Sequence, residues 1–230
     1  MLGGVELYEA MRHTPSCRYF TDDDVPDEVL WRVLDNARFA SSGGNRQGWR
    51  TVVVKDPDLR RAIAELHARQ WDEYIQHAQH GVVGYQGDGS GAKMEHGTTS
   101  STRRLGRTDD FTANLAAVPV HLVCYVELAA LAVTDKNLPR QSIVGGGSLY
   151  TMVHNMLLAC TNEGLGSALT TLLAAEQPHV DALLGVPEGF ALGALVAVGW
   201  PVRDKQIRKL RRKPVEEIAF RDRWGAAFDA

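Results

Sequence analysis

The chain is predicted to fold as an α+β domain in which helices cover both faces of a sheet, and three observations carry that expectation. Val118 to Val126 is a continuous apolar run, the pattern of a strand buried on both faces, and Ala191 to Gly199 reads as a second buried strand. Residues 24–39, 58–71 and 149–162 show helical patterns, the last with Met152, Val153, Met156, Leu157 and Cys160 as a wide apolar stripe. A chain of 230 residues with 44% hydrophobic content can fill one large core, so a single domain is expected.

Taken in order, Val5, Leu7, Tyr8 and Met11 suit a helix that stops near Pro15. Asp24-Val25-Pro26-Asp27-Glu28 combines a capping Asp, a first-turn Pro and early acids, so a helix is expected to about Phe39 with Val29, Leu30, Val33, Leu34 and Ala37 inward. Thr51 to Val54 is β-branched and bounded by Asp56-Pro57, hence a strand, and Asp58 to Trp71 is helical. Gly145-Gly146-Gly147-Ser148 opens the helix that Gly164 and Gly166 close. Ser167 to Leu173 reads as a short strand or edge segment, and Gln177 to Leu184 as a further helix.

Two stretches resist a purely structural reading. Residues 40–49, Ala-Ser-Ser-Gly-Gly-Asn-Arg-Gln-Gly-Trp, join helix to strand with four consecutive small residues. Such a loop lets backbone amides approach a ligand, and Asn45 and Gln47 add side-chain donors and acceptors; a solvated connection has the same composition. Residues 77–110 lose all periodicity, which suits a lid inserted over an active site or a disordered segment. Around residue 15, Arg12 and Arg18 flank a turn with Ser16, and guanidinium groups beside a hydroxyl can clasp a phosphate or stand in solvent.

Composition excludes some classes. A formal net charge of −3 gives no basic face for nucleic acid, and the basic run 205–213 is short. Cys17, Cys124 and Cys160 are odd in number and widely spaced, which suits reduced core thiols in a cytoplasmic protein. Glu6 and Glu9 interrupt any leader of signal-peptide length, and no apolar run approaches a membrane span of about 18 residues. His77, His80 and His96 lack metal-ligand spacing, and His13, His121 and His154 lack the partners of a catalytic dyad.

Four segments together resemble the FMN-dependent nitroreductase family. They are Ser16-Cys17-Arg18-Tyr19-Phe20; the loop 40–49; Gly147-Ser148-Leu149-Tyr150 running through Asn155-Met156-Leu157-Leu158-Ala159 to Gly164-Leu165-Gly166-Ser167; and Gly199-Trp200-Pro201 followed by Arg212-Lys213-Pro214. Their order and spacing hold across nearly the whole chain. Ser41 and Gly48 stand where the family pattern has prolines, each removing a fixed backbone angle. Thr14 and Pro15 stand where it commonly has Arg, and Arg12 or Arg208 is the expected substitute.

The resemblance implies a three-layer α/β/α sandwich around a mixed, mostly antiparallel sheet, and a homodimer with FMN at the subunit interface. Ser16, Arg18 and Arg212 would contact the flavin from one subunit; Ser41, Ser42, Gly43, Asn45 and Gln47 would line it from the other. Ser148, Thr170 and Thr171 would complete the pocket. The implied activity is ping-pong reduction of nitroaromatic, quinone or similar acceptors with NADH or NADPH as donor. The chemistry would reside on the flavin, so no protein nucleophile or general acid is expected. Reductive dehalogenation, flavin fragmentation, and flavin sequestration with little turnover are the alternatives.

Overall fold

A computed structural model describes residues 5–79, 110–140, 142–202, 205 and 212–228. Five labelled helices, α1 (Leu7–Arg12), α2 (Asp27–Ala37), α3 (Pro57–Gln79), α4 (Gly147–Asn162) and α5 (Gln177–Leu184), flank strands β1 (Trp49–Val54), β2 (Val120–Glu127), β3 (Gly166–Thr170) and β4 (Phe190–Gly199). The sheet order is β1-β2-β4-β3. All three neighbouring pairs are antiparallel, and a lone parallel bridge joins Ser16 to Ser167 on the outer edge of β3.

The continuous apolar run of β2 divides between two layers by simple alternation. Val120, Leu122, Cys124 and Val126 pack with Leu30 and Val33 of α2 and Met152 and Met156 of α4. Val123 and Tyr125 face the other way, onto Ile63 of α3, Leu115 and Val180 of α5. A sheet covered on both sides has no solvent face, so period-two polarity disappears from its central strands. The three-layer sandwich follows directly.

Gly193 is the extra residue of a bulge, because Cys124 pairs with Ala194 while Tyr125 pairs with Leu192. A Cβ at Gly193 would overlap the Leu149 side chain, and the Tyr150 hydroxyl donates to the Gly193 carbonyl at 3.1 Å. The bulge thereby seats the first turn of α4 close against the sheet. At its other end α4 closes in a Schellman turn: Gly164 takes φ +78°, and Leu165 N–H reaches the Cys160 carbonyl at 2.8 Å.

Among the boundaries that differ from expectation are those of α2 and α3. Pro26, not Asp24, occupies the N-cap of α2, with no side-chain cap. Asp24 is instead drawn to Lys55, whose Nζ sits 3.0 Å from both the Asp24 and the Asp27 carboxylates and donates to the Val25 carbonyl at 2.9 Å. Helix α3 continues to Gln79, past Trp71, so residues 77–79 belong to it by backbone; the rest of the expected lid up to 109 lies outside the described residues. No helix among the described residues is long and apolar enough to cross a membrane.

Candidate functional site

One group of expected site residues gathers at the N-terminal end of α4. Gly43 N–H donates to Ser148 Oγ at 3.2 Å, and the Thr151 hydroxyl lies within donating distance of the Ser41 carbonyl, 2.9 Å, and the Ser148 carbonyl, 2.8 Å. Inside the loop, Ser42 accepts twice: Asn45 N–H on its carbonyl at 2.9 Å and Gln47 N–H on its hydroxyl at 3.1 Å. Gly44, Asn45 and Gln47 all adopt left-handed backbone, with φ of 60°, 55° and 50°. For Gln47 this costs on the order of 1–2 kcal/mol, which the Ser42 hydroxyl offsets.

These bonds change what the loop can offer. The amides of Gly43, Asn45, Arg46 and Gln47 are all satisfied within the protein. Four amides of the loop are therefore already taken, while Ser41, Asn45 and Gln47 are exposed, with the Gln47 carboxamide donating to Asn45 Oδ1 at 3.2 Å. A Cβ at Gly43 or Gly147 meets nothing within 4 Å, so open space lies in front of both. The segment leading into α4 is fixed by Asp135, which accepts from the Ser142 hydroxyl at 2.6 Å, Ile143 N–H at 3.0 Å and Arg140 at 2.8 Å. The Ser142 hydrogen bond foremost, then the Ile143 amide, hold its carboxyl well below the usual carboxylate range.

A second group lies along β3. Cys17 N–H donates to the Ser167 carbonyl at 2.8 Å, which makes residues 16–17 a short parallel extension of the sheet. Gly166 permits this approach, because a Cβ there would stand 2.5 Å from Cys17 Sγ. Ser16 is exposed, Arg18 half-buried, and burial pushes the Cys17 thiol pKa up, so it stays protonated. Three residues along β3, Thr170 is half-exposed and Thr171 exposed. Arg212 is exposed and Arg12 ends α1 in solvent; Arg208 lies outside the described residues.

The two groups sit at opposite ends of one helix. Thr14 Oγ1 lies 2.8 Å from Thr161 Oγ1, which ties the chain just before Ser16 to the last turn of α4, while Ser148 holds the loop at its first turn. Thirteen residues of α-helix separate Ser148 from Thr161, roughly 20 Å at 1.5 Å per residue. Within one chain, the Ser16 end and the Ser41–Gln47 end are thus tied to opposite end turns of α4.

Several positioning residues carry no motif. Thr151 follows Ser148 by three and shares its face of α4, a spacing visible in sequence. His67 stands four residues after Ile63 and four before Trp71 on the buried stripe of α3, and its ring meets Thr170. Ala130, whose carbonyl lies 3.5 Å from Arg46 Nη1 and whose methyl fills the space before Gly48, has no signal of its own. His121 is fully buried with Nε2 2.9 Å from the Leu115 carbonyl, and His13 and His154 are exposed. All three cysteines are free and buried.

Comparison with known proteins agrees with this fold. The profile of the nitroreductase family matches residues 11–200, which takes in Ser16, the loop 40–49, Ser148 and β3. Iodotyrosine deiodinase 1 of Homo sapiens is 27% identical over 213 residues, covering 93% of this chain and 67% of that protein. Among solved structures, a BluB-like flavoprotein from Clostridium difficile 630 superposes with a TM-score of 0.67 at 24% identity, over 96% of this chain and 100% of the other. An oxidised iodotyrosine deiodinase bound to FMN and 3-iodo-L-tyrosine gives 0.63 at 22% identity, over 91% and 96%. With the profile spanning the whole sheet and both ends of α4, the chain belongs to the nitroreductase family.

Proposed function

We propose that the protein is an FMN-dependent oxidoreductase that takes hydride from NADH or NADPH and passes electrons to a small electron-poor acceptor, as a homodimer with each flavin between two subunits. The observation that carries this reading is the separation of the two groups by the length of α4. A site that needs both is completed when the Ser41–Gln47 end of one chain meets the Ser16–Arg18 end of another, as two-fold symmetry allows. The residues suit FMN: Ser16, Arg18 and Arg212 are donors of the kind that bind a phosphate, and Ser41, Asn45, Gln47 and the open space before Gly43 suit the polar edge of a flat ring. When bound, FMN supplies the hydride chemistry. The chain's own part is to orient the ring through the loop 41–47, to hold the phosphate through Arg18 and Arg212, and to offer cationic charge where negative charge develops.

A second reading concerns the acceptor. The likeness to iodotyrosine deiodinases favours reductive removal of halide from a halophenol over reduction of a nitro group. Purified protein should be yellow with an equimolar complement of FMN, and anaerobic NADH or NADPH should bleach it. Reoxidation by a nitroarene, a quinone and 3-iodo-L-tyrosine, with iodide release followed, then separates the acceptors. A colourless protein that takes up no added FMN overturns the assignment, and a bound flavin that neither nucleotide reduces leaves a sequestering protein instead.

A further inference from the structure

His67 is 1% exposed, in the layer between α3 and the sheet, where Phe111 meets its ring edge-on at 6.2 Å between centroids. Its Nε2 lies 3.1 Å from Thr170 Oγ1, and the same hydroxyl accepts the Leu172 amide proton at 3.4 Å. Its Nδ1 is buried and has no hydrogen-bond partner among the described residues. A proton on Nδ1 would be a buried donor with nothing to receive it, so the neutral ring carries its proton on Nε2 and donates to Thr170. Burial drives the imidazole pKa down to about 4, which keeps the ring in that neutral form at physiological pH.

The consequence falls on the hydroxyl. With the His67 and Leu172 N–H groups occupying its acceptor capacity, the Thr170 side chain has its own proton left to offer. We propose that His67 is a positioning residue for the cofactor pocket, fixing Thr170 as a hydrogen-bond donor on the turn 170–172, where the exposed side of β3 ends. This rests on the flavin reading given above. His67 itself touches no ligand; it acts through Thr170, from the layer beneath.

The test compares T170V, H67M, H67Q and the double variant H67M/T170V with the parent protein. FMN affinity is measured by quenching of flavin fluorescence, and the bound flavin's visible absorption band is recorded. T170V and H67M should each weaken FMN binding about five-fold and shift the band alike. The double variant should do no worse than either single one, and H67Q, whose amide reaches the position of Nε2, should recover most of the loss. Imidazole nitrogen shifts in the flavin-free protein should show a neutral ring protonated on Nε2. Additive losses in the double variant, an H67M protein that binds FMN as the parent does, or a ring protonated on Nδ1 each overturn the inference while leaving the flavin reading intact. A parent protein that binds no FMN overturns both.

Discussion

The two ends of α4 are built by different means. At its N-terminal end the loop 41–47 is held largely by side chains: Ser148, Thr151 and Ser42 each engage a backbone group of the loop, and Asn45 and Gln47 there adopt left-handed angles. At its C-terminal end the segment 16–21 is held by backbone: Cys17 N–H on Ser167 and Thr21 N–H on Trp200, with Phe20 bridged to Pro201, so that a strip of chain simply extends the sheet. A backbone strip tolerates change in its side chains and can exchange them for ligand binding. A loop fixed by hydroxyls cannot lose one without losing shape. The first end is shaped for specificity of geometry, the second for freedom of chemistry.

The largest effect should come from breaking the two ends in separate chains. G43W puts an indole into the space before the loop, where a Cβ meets nothing within 4 Å, and R18A removes the cation at the other end. Each variant alone should bind FMN poorly, R18A by about tenfold to a hundredfold. Mixing the two through a dissociation and reassociation step should restore strong binding in about one site in four, the share of wild-type sites in randomly paired dimers. Flavin titration that recovers no strong sites would place both ends of the pocket in one chain and end the comparison.

Acid sharpens the comparison at the layer behind β3. Burial sets the pKa of both His67 and His121 down to about 4, against 6.5 for a free imidazole. Below pH 6.5 the unfolded chain binds protons that the folded chain refuses, so stability is lost as pH falls from 6.5 towards 4. The loss is at most about 3 kcal/mol for each ring. Urea unfolding at a series of pH values should show it, and H67Q should remove one proton's share of the slope. A stability that stays flat between pH 6.5 and 4 would show the rings to be reached by water.

The smallest effect bears on the contrast itself. S148A removes the acceptor of the Gly43 amide and should lower stability by about 1 kcal/mol, with the loop the first region to gain hydrogen exchange. S16A should change stability by less than about 0.5 kcal/mol, because the Ser16 bridge is made by backbone. Equal thermal shifts in the two variants would erase the distinction drawn between side-chain and backbone support.

Much of this was legible in the residues. The apolarity of 120–126, interrupted by His121, signals a strand covered on both faces, and Gly164 marks the end of α4 because only an unencumbered backbone turns there so cheaply. That Ser41, Ser42, Gly43 and Ser148 belong together was implied by the family resemblance, and Gly43 and Ser148 are in contact. What stayed hidden depends on partners distant in sequence. Asp24 looks like a cap until Lys55 arrives from the end of β1, and His67 looks like one more polar residue on a helix until β3 brings Thr170 to it. The satisfied amides of the loop were equally hidden, since no composition tells whether an N–H already has an acceptor.

Gly48 gives the loop's missing prolines a different meaning. A Cβ at that position would stand 2.5 Å from the Ala130 methyl, and the Gly48 carbonyl receives the Glu127 amide at 2.8 Å. The loop's exit into β1 is thus clamped from outside by the turn after β2, where a pyrrolidine ring would stiffen it from within. Positions 48 and 130 form a lock and its key: a chain with proline at the first needs a turn that stands further back, and one with this turn needs glycine. Inheritance at the two places should therefore be joint, with one substitution acceptable only in the company of the other.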